Sequence, residues 1–197
     1  GTARFVDDHT VAVDTAEGEK LFKADRIFIN TGATPFVPPV EGLTIGGAIH
    51  TSETIMNLEE YPESLVIIGS GFIGLEFAAT YAQFGTKVTV VDVIDTFLPR
   101  EDEDVAQAVK EQLEALGVTF NLGVQLKAVH QEGGKAVVEA TTGEGAPVAF
   151  TTDAVLVATG RRANVQGLDL DKAGVELTER GAIKVNEFLQ TNVPHIF

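Results

Sequence analysis

Three glycines at the centre of the chain have the spacing Gly-x-Gly-x-x-Gly, at Gly69, Gly71 and Gly74. An apolar run at residues 65–68 predicts a buried strand before them, and helical periodicity predicts a helix after them that stops at Gly85. In that context the first glycine permits a tight turn, the second lets the backbone approach a phosphate, and the third allows close helix packing. Free N–H groups at the helix start then attract negative charge. The pattern therefore predicts a dinucleotide site; the alternative is a glycine-rich turn in a non-binding α/β domain.

A carboxylate at the end of the next predicted strand favours one nicotinamide cofactor over the other. Asp92 follows the apolar segment KVTVV and lies roughly 20 residues after the glycine turn, where an acidic side chain accepts hydrogen bonds from ribose hydroxyls. The same carboxylate would repel a 2′-phosphate. Val93 offers no cation, and Arg100 lies well down the following loop. We therefore predict NAD(H) in preference to NADPH; the alternative for Asp92 is a solvated strand end.

Other reactive residue types give no comparable signal. The chain contains no cysteine, which excludes disulfide scaffolds, thiol nucleophiles and cysteine metal sites. No Gly-x-Ser-x-Gly motif and no distinctive carboxylate pair points to hydrolase chemistry. The histidines are scattered without a His-Glu-x-x-His pattern, so no metal site is expected among them: His9, His50, His130 and His195.

The composition is that of a soluble globular protein with a strongly acidic surface. Lys and Arg number 14 against 29 Asp and Glu, which gives a formal charge of −15. Nucleic acids and acidic membranes are poor partners for that surface, because both are bound through cations. The apolar runs are too short to span a bilayer, and the N-terminus has no signal-peptide pattern. We expect a cytoplasmic protein whose partner is a small dinucleotide.

The elements around the glycine turn predict an α/β fold. Strand, helix, strand, helix and strand alternate over residues 65–122, which requires a parallel sheet. The second helix carries an apolar stripe, and the residues expected to be buried on it are Val105, Val109, Leu113 and Leu116. Three alternating segments then predict an antiparallel β-meander, and residues 153–160 predict a return to a buried strand. The fold class is a Rossmann-like domain with a parallel sheet, helices and a three-stranded meander.

One segment near the N-terminus repeats the pattern of the last buried strand. DRIFINTG, from Asp25 to Gly32, and DAVLVATG, from Asp153 to Gly160, both have the form Asp-x-apolar-apolar-apolar-x-Thr-Gly. The second closes the unit that carries the glycine turn, whereas no glycine fingerprint precedes the first. We infer two related nucleotide-binding domains, the first without its front half, and predict a strand at residues 26–30. The chain also stops in mid-pattern at its last residue, as though cut.

With these motifs in order along its whole length, the chain resembles the class I pyridine nucleotide-disulfide oxidoreductases. That family includes glutathione reductase, dihydrolipoamide dehydrogenase and mercuric reductase. The segments RIFINTGA and FLPREDEDV, and the VPP between them, are most similar to the mercuric-reductase-like flavoproteins of bacterial reactive-chlorine resistance. Dihydrolipoamide dehydrogenases share much of the same pattern and stay an alternative.

The resemblance implies a role for each matching residue. In the family a hydride passes from NADH to FAD, which then reduces a redox disulfide. Asp92 would hold the adenosine ribose, Leu126 would lie near the adenine, and Gly160 would close the NAD pocket. Glu76 would lie near the nicotinamide, although an acidic group there also complements the helix dipole. Two larger sets are implied: the NAD(H)-lining residues Gly69, Ser70, Gly71, Phe72, Ile73, Gly74 and Glu76, and the FAD-contacting residues Thr31, Gly32 and Ala33.

The resemblance also implies the domain boundaries. Residues 1–35 are expected to be a β-rich remnant of an FAD-binding domain with its closing strand. Residues 36–160 are expected to form an NAD(P)-binding Rossmann domain, and residues 161–197 a truncated return segment toward the FAD-binding domain. The family's cysteine pair, FAD fingerprint and dimerisation domain have no counterpart in the chain. We therefore expect an internal fragment of a homodimeric enzyme, with no catalytic residue and no turnover of its own.

Two alternatives stay open from the residues alone. A non-catalytic module that senses NAD(H) would explain the absent cysteines, but not the strand pattern at residues 25–32 without a fingerprint. Another flavoprotein of the superfamily, such as an NADH oxidase or a ferredoxin reductase, shares the glycine turn but fits the FLPRED segment less well.

Overall fold

The computed structural model describes all 197 residues, which form two compact units. The central unit comprises Pro35–Gly160. The terminal unit combines Gly1–Thr34 with Arg161–Phe197, so it is built from both ends of the chain. Each unit has a hydrophobic core of its own.

Strands outnumber helices, and neither α-helix is long and apolar enough to cross a membrane. The helices are α1 (Phe72–Gln83) and α2 (Glu103–Ala115), with one turn of 3-10 helix at Ile55–Asn57. The strands, in chain order, are β1 (Thr2–Phe5), β2 (Thr10–Thr15), β3 (Gly18–Lys23), β4 (Ala33–Pro35), β5 (Ile49–Thr51), β6 (Ser64–Ile68), β7 (Lys87–Val91), β8 (Thr119–Asn121), β9 (Gln125–Glu132), β10 (Lys135–Thr141), β11 (Pro147–Thr152), β12 (Ala154–Val157) and β13 (Arg161–Ala163).

A five-stranded parallel sheet in the order β5-β12-β6-β7-β8 forms the centre of the central unit. The predicted alternation of strands and helices over residues 65–122 is confirmed, and β5 adds an edge strand that the sequence did not predict. Strands β6 and β12 are flanked on both sides and are almost entirely buried, which explains their continuous apolar sequences. The carboxyl ends of β6, β7 and β12 therefore lie at one edge of the sheet.

The two faces of this sheet pack against different layers. Because successive side chains of a strand point to opposite faces, Leu65 and Ile67 lie in a core with the buried residues of α1 and α2. Val66 and Ile68 lie in a second core with Val129, on the meander side. The predicted antiparallel meander is confirmed, with β10 between β9 and β11.

The buried face of α2 differs from the predicted one. Ala106 and Leu113 are buried and Val109 is partly buried, whereas Val105 and Leu116 are 49% and 43% exposed. Val109 and Leu113 belong to both faces and Ala106 takes the place of Val105, so the observed contact face is shifted by less than the roughly 100° that separates neighbouring residues on a helix. Hydrophobicity alone does not determine this face, because the small residue Ala106 packs into the core with Leu113 while the larger Val105 stays about half-exposed.

The terminal unit has an antiparallel sheet in the order β1-β2-β3 and a small core. The core residues come from both ends of the chain: Phe5, Leu170, Ala173, Val175 and Ile196. Strand β3 is exposed along its whole length.

The regular strand predicted at residues 26–30 is not formed. A single parallel bridge joins Ile27 to Ile196, and hydrogen bonds from Ile27 N–H to His195 O (3.0 Å) and from Ile29 N–H to Phe197 O (2.7 Å) continue it. The segment has this neighbour on one edge only, and Phe28 is 71% exposed. With hydrogen bonds on one edge only, this apolar run stays irregular, whereas the equivalent run in β12 has strands on both edges.

Asp153 connects three strands of the central unit immediately before β12. Its carboxylate accepts hydrogen bonds from Ser64 N–H (2.9 Å) and Ser64 Oγ–H (2.6 Å) on β6, and it pairs with Lys135 Nζ on β10 at 2.7 Å. The hydrogen bond from Lys135, then those from Ser64, hold the pKa of Asp153 below its usual value of 3.8.

We predict that Asp153→Asn lowers the free energy of unfolding at neutral pH and that this deficit shrinks in acid. A carboxyl whose pKa is lowered by folding stabilises the native state above its unfolded pKa, and the stabilisation is lost as the pH falls through the folded pKa. Urea unfolding from about pH 7 to about pH 3 checks this, with the wild-type advantage shrinking below about pH 4. Glu139→Gln, an exposed carboxyl on β10, is the control; an equal deficit in both variants would contradict the role of Asp153.

Candidate functional site

The first glycine of the turn, Gly69, lies where two buried strands end side by side. Its φ is +111°, in the region that only glycine adopts readily, and its N–H donates to Val91 O at 2.8 Å. A Cβ at this position would lie 2.5 Å from the Ala158 carbonyl oxygen. Glycine is therefore required here both by the backbone conformation and by the nearby end of β12.

The third glycine, Gly74, brings the first turn of α1 against the end of β6. It is buried, and a Cβ added to it would overlap the Gly69 carbonyl oxygen and lie 3.3 Å from Ile67 Cγ2. The helix can approach the strand this closely only without a side chain at this position. Gly69 and Gly74 are thus glycines because of packing inside the protein.

The middle glycine, Gly71, has no such internal reason. It is the N-cap of α1, its φ of −76° and ψ of 175° suit any residue, and a Cβ there would meet no atom within 4 Å. No side chain caps the first turn of α1, so the helix presents its N-terminal N–H groups without a side-chain partner. An open space beside a helix N-terminus is the arrangement that a pyrophosphate fits.

Asp92 holds the glycine turn in place. Its Oδ2 accepts hydrogen bonds from Ser70 N–H (2.6 Å) and Ser70 Oγ–H (2.7 Å), and its Oδ1 accepts from Ile94 N–H (3.0 Å). Ser70 is buried, so without Asp92 two of its polar groups would lose their partner. The carboxylate is therefore a positioning group for the turn. The contact between Ser70 and Asp92 was not predicted from the sequence. Its sequence signal would have been a hydroxyl residue inside the turn together with a carboxylate at the end of the next strand.

The bonds within the protein limit what Asp92 can offer a ligand. A carboxylate has about four acceptor sites, and the N–H and O–H groups of Ser70 and Ile94 use most of them. Asp92 is half-buried at the end of β7, so its outer side stays accessible. Its negative charge acts on a nearby group whether or not an acceptor site is free.

The other predicted residues of the dinucleotide site are spread over the central unit. Glu76 is exposed in the second turn of α1, and Phe72, at the first position of that helix, is 64% exposed. Leu126 is partly buried on β9, opposite Ala140, and packs on the core of the meander side. Gly160, with φ +127°, accepts a hydrogen bond from Phe36 N–H at 2.9 Å.

The residues predicted to contact a flavin lie in the terminal unit. Thr31 Oγ–H donates to Asn164 O at 2.7 Å, and Asn164 N–H donates to Gly32 O at 3.0 Å. The carbonyl of Ala33 accepts a hydrogen bond from the Arg161 guanidinium. Gly32 has a φ of +73°. These bonds fix the backbone of the Thr-Gly-Ala segment, which sequence reasoning alone could not show.

A parallel sheet whose central strand turns through glycines into a helix, with a carboxylate at the end of the next strand, is the architecture of a Rossmann-type α/β protein. Comparison with known families agrees. The model of the pyridine nucleotide-disulphide oxidoreductase family matches residues 1–197. The chain belongs to this family.

Individual relatives include two kinds of enzyme. The chain is 37% identical over 197 residues to the probable pyridine nucleotide-disulfide oxidoreductase RclA of Escherichia coli, and 37% identical over 199 residues to a dihydrolipoyl dehydrogenase of Bacillus subtilis. Both matches cover 100% of this chain, but they cover only 44% of RclA and 42% of the dihydrolipoyl dehydrogenase. The chain is thus equally identical to a relative from each of the two subfamilies that its sequence resembles, the reactive-chlorine-resistance flavoproteins and the dihydrolipoamide dehydrogenases.

Solved structures give the same result. A Cu(II) complex of the HOCl-induced flavoprotein disulfide reductase RclA from Escherichia coli matches with a TM-score of 0.92 at 35% identity, over 100% of this chain and 44% of that one. LpdA from Mycobacterium tuberculosis matches with a TM-score of 0.89 at 27% identity, over 100% of this chain and 43% of that one. The predicted fold class is confirmed.

We predict that a serine substitution destabilises the protein at Gly74 but not at Gly71. Gly74→Ser should lower the free energy of unfolding by about 1–3 kcal/mol, because its Cβ displaces the backbone at Gly69. Gly71→Ser should change it by less than about 0.5 kcal/mol, because serine is a favoured N-cap. Chemical denaturation of both variants checks this. Equal destabilisation would mean that the space beside Gly71 is filled in solution.

Proposed function

We propose that the central unit binds NAD(H) as part of an FAD-dependent pyridine nucleotide-disulfide oxidoreductase. In the intact enzyme the bound cofactors would pass a hydride from NADH to FAD and then two electrons to a redox disulfide. The observation that carries the proposal is the contrast within the glycine turn. Gly69 and Gly74 have internal reasons to lack a side chain, whereas Gly71 faces only open space at the start of α1. A ligand that approaches the backbone explains why the middle position, Gly71, is also a glycine.

The chain's own groups would hold the dinucleotide mainly through the backbone. The N–H groups of the first turn of α1, at Phe72 and Ile73, would donate to the pyrophosphate, and the positive end of the helix dipole would add to their effect. Ser70, fixed by Asp92, sets the path of the backbone into this turn. We also propose that Glu76 lies near the nicotinamide and Leu126 near the adenine. Gly160 would close the NAD pocket.

Charge around the end of β7 supports NADH over NADPH. Asp92 is half-buried there, and the next residues, Val93 and Ile94, are exposed and uncharged. A 2′-phosphate on the adenosine ribose would face the carboxylate, and neither of the next two residues offers a cation to it. The ribose of NADH brings two hydroxyl donors instead.

The terminal unit would supply part of the flavin site. Thr31, Gly32 and Ala33 form a segment whose backbone is fixed by Asn164 and Arg161, and we propose that it contacts FAD. A homodimeric parent enzyme and a cytoplasmic location stay predictions from the family resemblance and from composition.

We expect calorimetric titration of the 197-residue chain to give clearly tighter binding of NADH than of NADPH. In Asp92→Asn, the ratio of the NADPH to the NADH dissociation constant should fall roughly tenfold, equivalent to about 1.4 kcal/mol. The reason is that the substitution removes the charge that opposes the 2′-phosphate. Gly71→Ser should abolish binding of both, because its side chain occupies the space beside the helix N-terminus.

The matched control for this titration is Asp95→Asn, which removes an exposed carboxylate three residues away and should leave both affinities unchanged. Retention of binding in Gly71→Ser would overturn the proposed position of the pyrophosphate. A cofactor preference that is the same in Asp92→Asn and wild type would overturn the role of Asp92.

We further predict that the chain alone does not catalyse disulfide reduction. It contains no cysteine, so it has no thiol pair to receive electrons and pass them on. Loss of NADH absorbance, followed with added FAD and a disulfide substrate, should not exceed the rate without protein. Steady turnover by the pure chain, abolished by Gly71→Ser, would contradict the prediction.

A further inference from the structure

Two histidines from opposite ends of the chain stack face to face in the terminal unit. The ring centroids of His9 and His195 are 3.9 Å apart and their planes differ by 1°. Both side chains are partly exposed. Sequence reasoning treated the four histidines as scattered, and the fold brings these two together.

The hydrogen bonds of the two rings define their tautomers. His9 Nδ1 lies 2.8 Å from Ala24 O, and His195 Nε2 lies 2.7 Å from Asp8 O. A carbonyl oxygen only accepts, so each of these nitrogens carries the proton and donates it. His9 Nε2 and His195 Nδ1 are therefore the nitrogens with lone pairs when the rings are neutral. Histidines that bind metals are held in this way, with the other ring N–H donated to a carbonyl or a carboxylate.

A carboxylate completes the set. Asp8 is exposed, and a carboxylate oxygen of Asp8 and ring nitrogens of His9 and His195 all lie within 4.8 Å of one another. We propose that Asp8, His9 and His195 form a binding site for a divalent late first-row transition metal, with Zn²⁺ as its representative. All three residues belong to the terminal unit, whereas the residues proposed to bind NAD(H) belong to the central unit.

The backbone around these residues is fixed by three hydrogen bonds. His9 O accepts from Ala24 N–H and His195 O accepts from Ile27 N–H, both at 3.0 Å, and His9 N–H donates to Asp7 Oδ1 at 2.9 Å. The ligands are thus held on a framework within which only side-chain rotation is needed.

The rotation that metal binding requires is specific. Zn²⁺ lies about 2.0–2.1 Å from each ligating nitrogen in a tetrahedral site, which sets the ligand atoms roughly 3.4 Å apart. A metal also lies in the plane of the imidazole that binds it, so two parallel rings cannot share one ion. Metal binding must therefore rotate at least one ring out of the stack, which alters that ring's hydrogen bond to its carbonyl, and draw the three side chains together with solvent at the fourth position.

The donor set decides the class of metal. Two imidazole nitrogens and one carboxylate oxygen suit Zn²⁺ and its late first-row neighbours, whereas Mg²⁺ and Ca²⁺ prefer oxygen ligands alone. The chain offers no thiolate that could compete. The many surface carboxylates would bind Zn²⁺ weakly, and an excess of Mg²⁺ would occupy them.

The test is calorimetric titration of the untagged, EDTA-treated 197-residue chain with Zn²⁺ in excess Mg²⁺. We expect one Zn²⁺ per chain. Affinity should fall about tenfold or more in His9→Gln and in His195→Gln, and measurably in Asp8→Asn. His130→Gln, in the central unit, and Asp171→Asn, an exposed carboxyl in the terminal unit, are the matched controls and should bind as wild type does.

A second measurement covers variants that fail to fold. In the wild-type protein, Zn²⁺ should shift the ring NMR signals of His9 and His195, and should leave those of His50 and His130 unchanged. Asp8→Asn changes only an exposed side chain and leaves the stack intact. Absence of Zn²⁺ binding in excess Mg²⁺, unchanged affinity in Asp8→Asn and the histidine variants, or shifts confined to His50 or His130 would each overturn the proposal.

Discussion

The close contact between Gly74 and the Gly69 carbonyl is the constraint on which the central unit depends. It sets the distance between α1 and β6, because any side chain at Gly74 would overlap that oxygen. With the helix so close to the strand, its N-terminus opens at the carboxyl edge of the sheet, where β6, β7 and β12 end together. The hydrogen bonds of Ser70 to Asp92 then join this turn to β7. The position of the helix N-terminus is thus fixed from two directions before any ligand is present.

Much of the central unit could be predicted from sequence, because its signals are local. The apolar strands, the glycine spacing and the alternating segments of the meander each specify an element within a few residues. The α2 face was partly misplaced, because hydrophobicity alone ranks Val105 above Ala106, whereas the fold buries Ala106 with Leu113 and leaves Val105 about half-exposed. The position of the glycine turn between β6 and α1 was predicted correctly, but the contact between Ser70 and Asp92 joins positions 22 residues apart and needed the structure.

The terminal unit was less predictable, because contacts between distant positions leave no local signal in the sequence. Its contacts join the two ends of the chain: Thr31 to Asn164 across 133 positions, and Asp8 to His195 across 187. The repeated pattern Asp-x-apolar-apolar-apolar-x-Thr-Gly predicted equivalent strands in the two units, yet only the copy at Asp153 forms one. There Ser64 and Lys135 bind the aspartate, and strands flank both edges. The same local sequence therefore gives different structure where its neighbours differ.

The charge distribution explains why backbone groups must dominate the proposed dinucleotide site. The chain has a net charge of −15, and neither Lys nor Arg occurs between Arg26 and Lys87, a stretch that contains β6, the glycine turn and α1. An anionic pyrophosphate at this turn could not be neutralised by cationic side chains of that segment. Within that segment, the partial positive charge of the helix N-terminus and its directed N–H groups are the means of attraction. A side chain at Gly71 would obstruct both, so the least constrained glycine inside the folded protein is the one on which the proposed binding depends most.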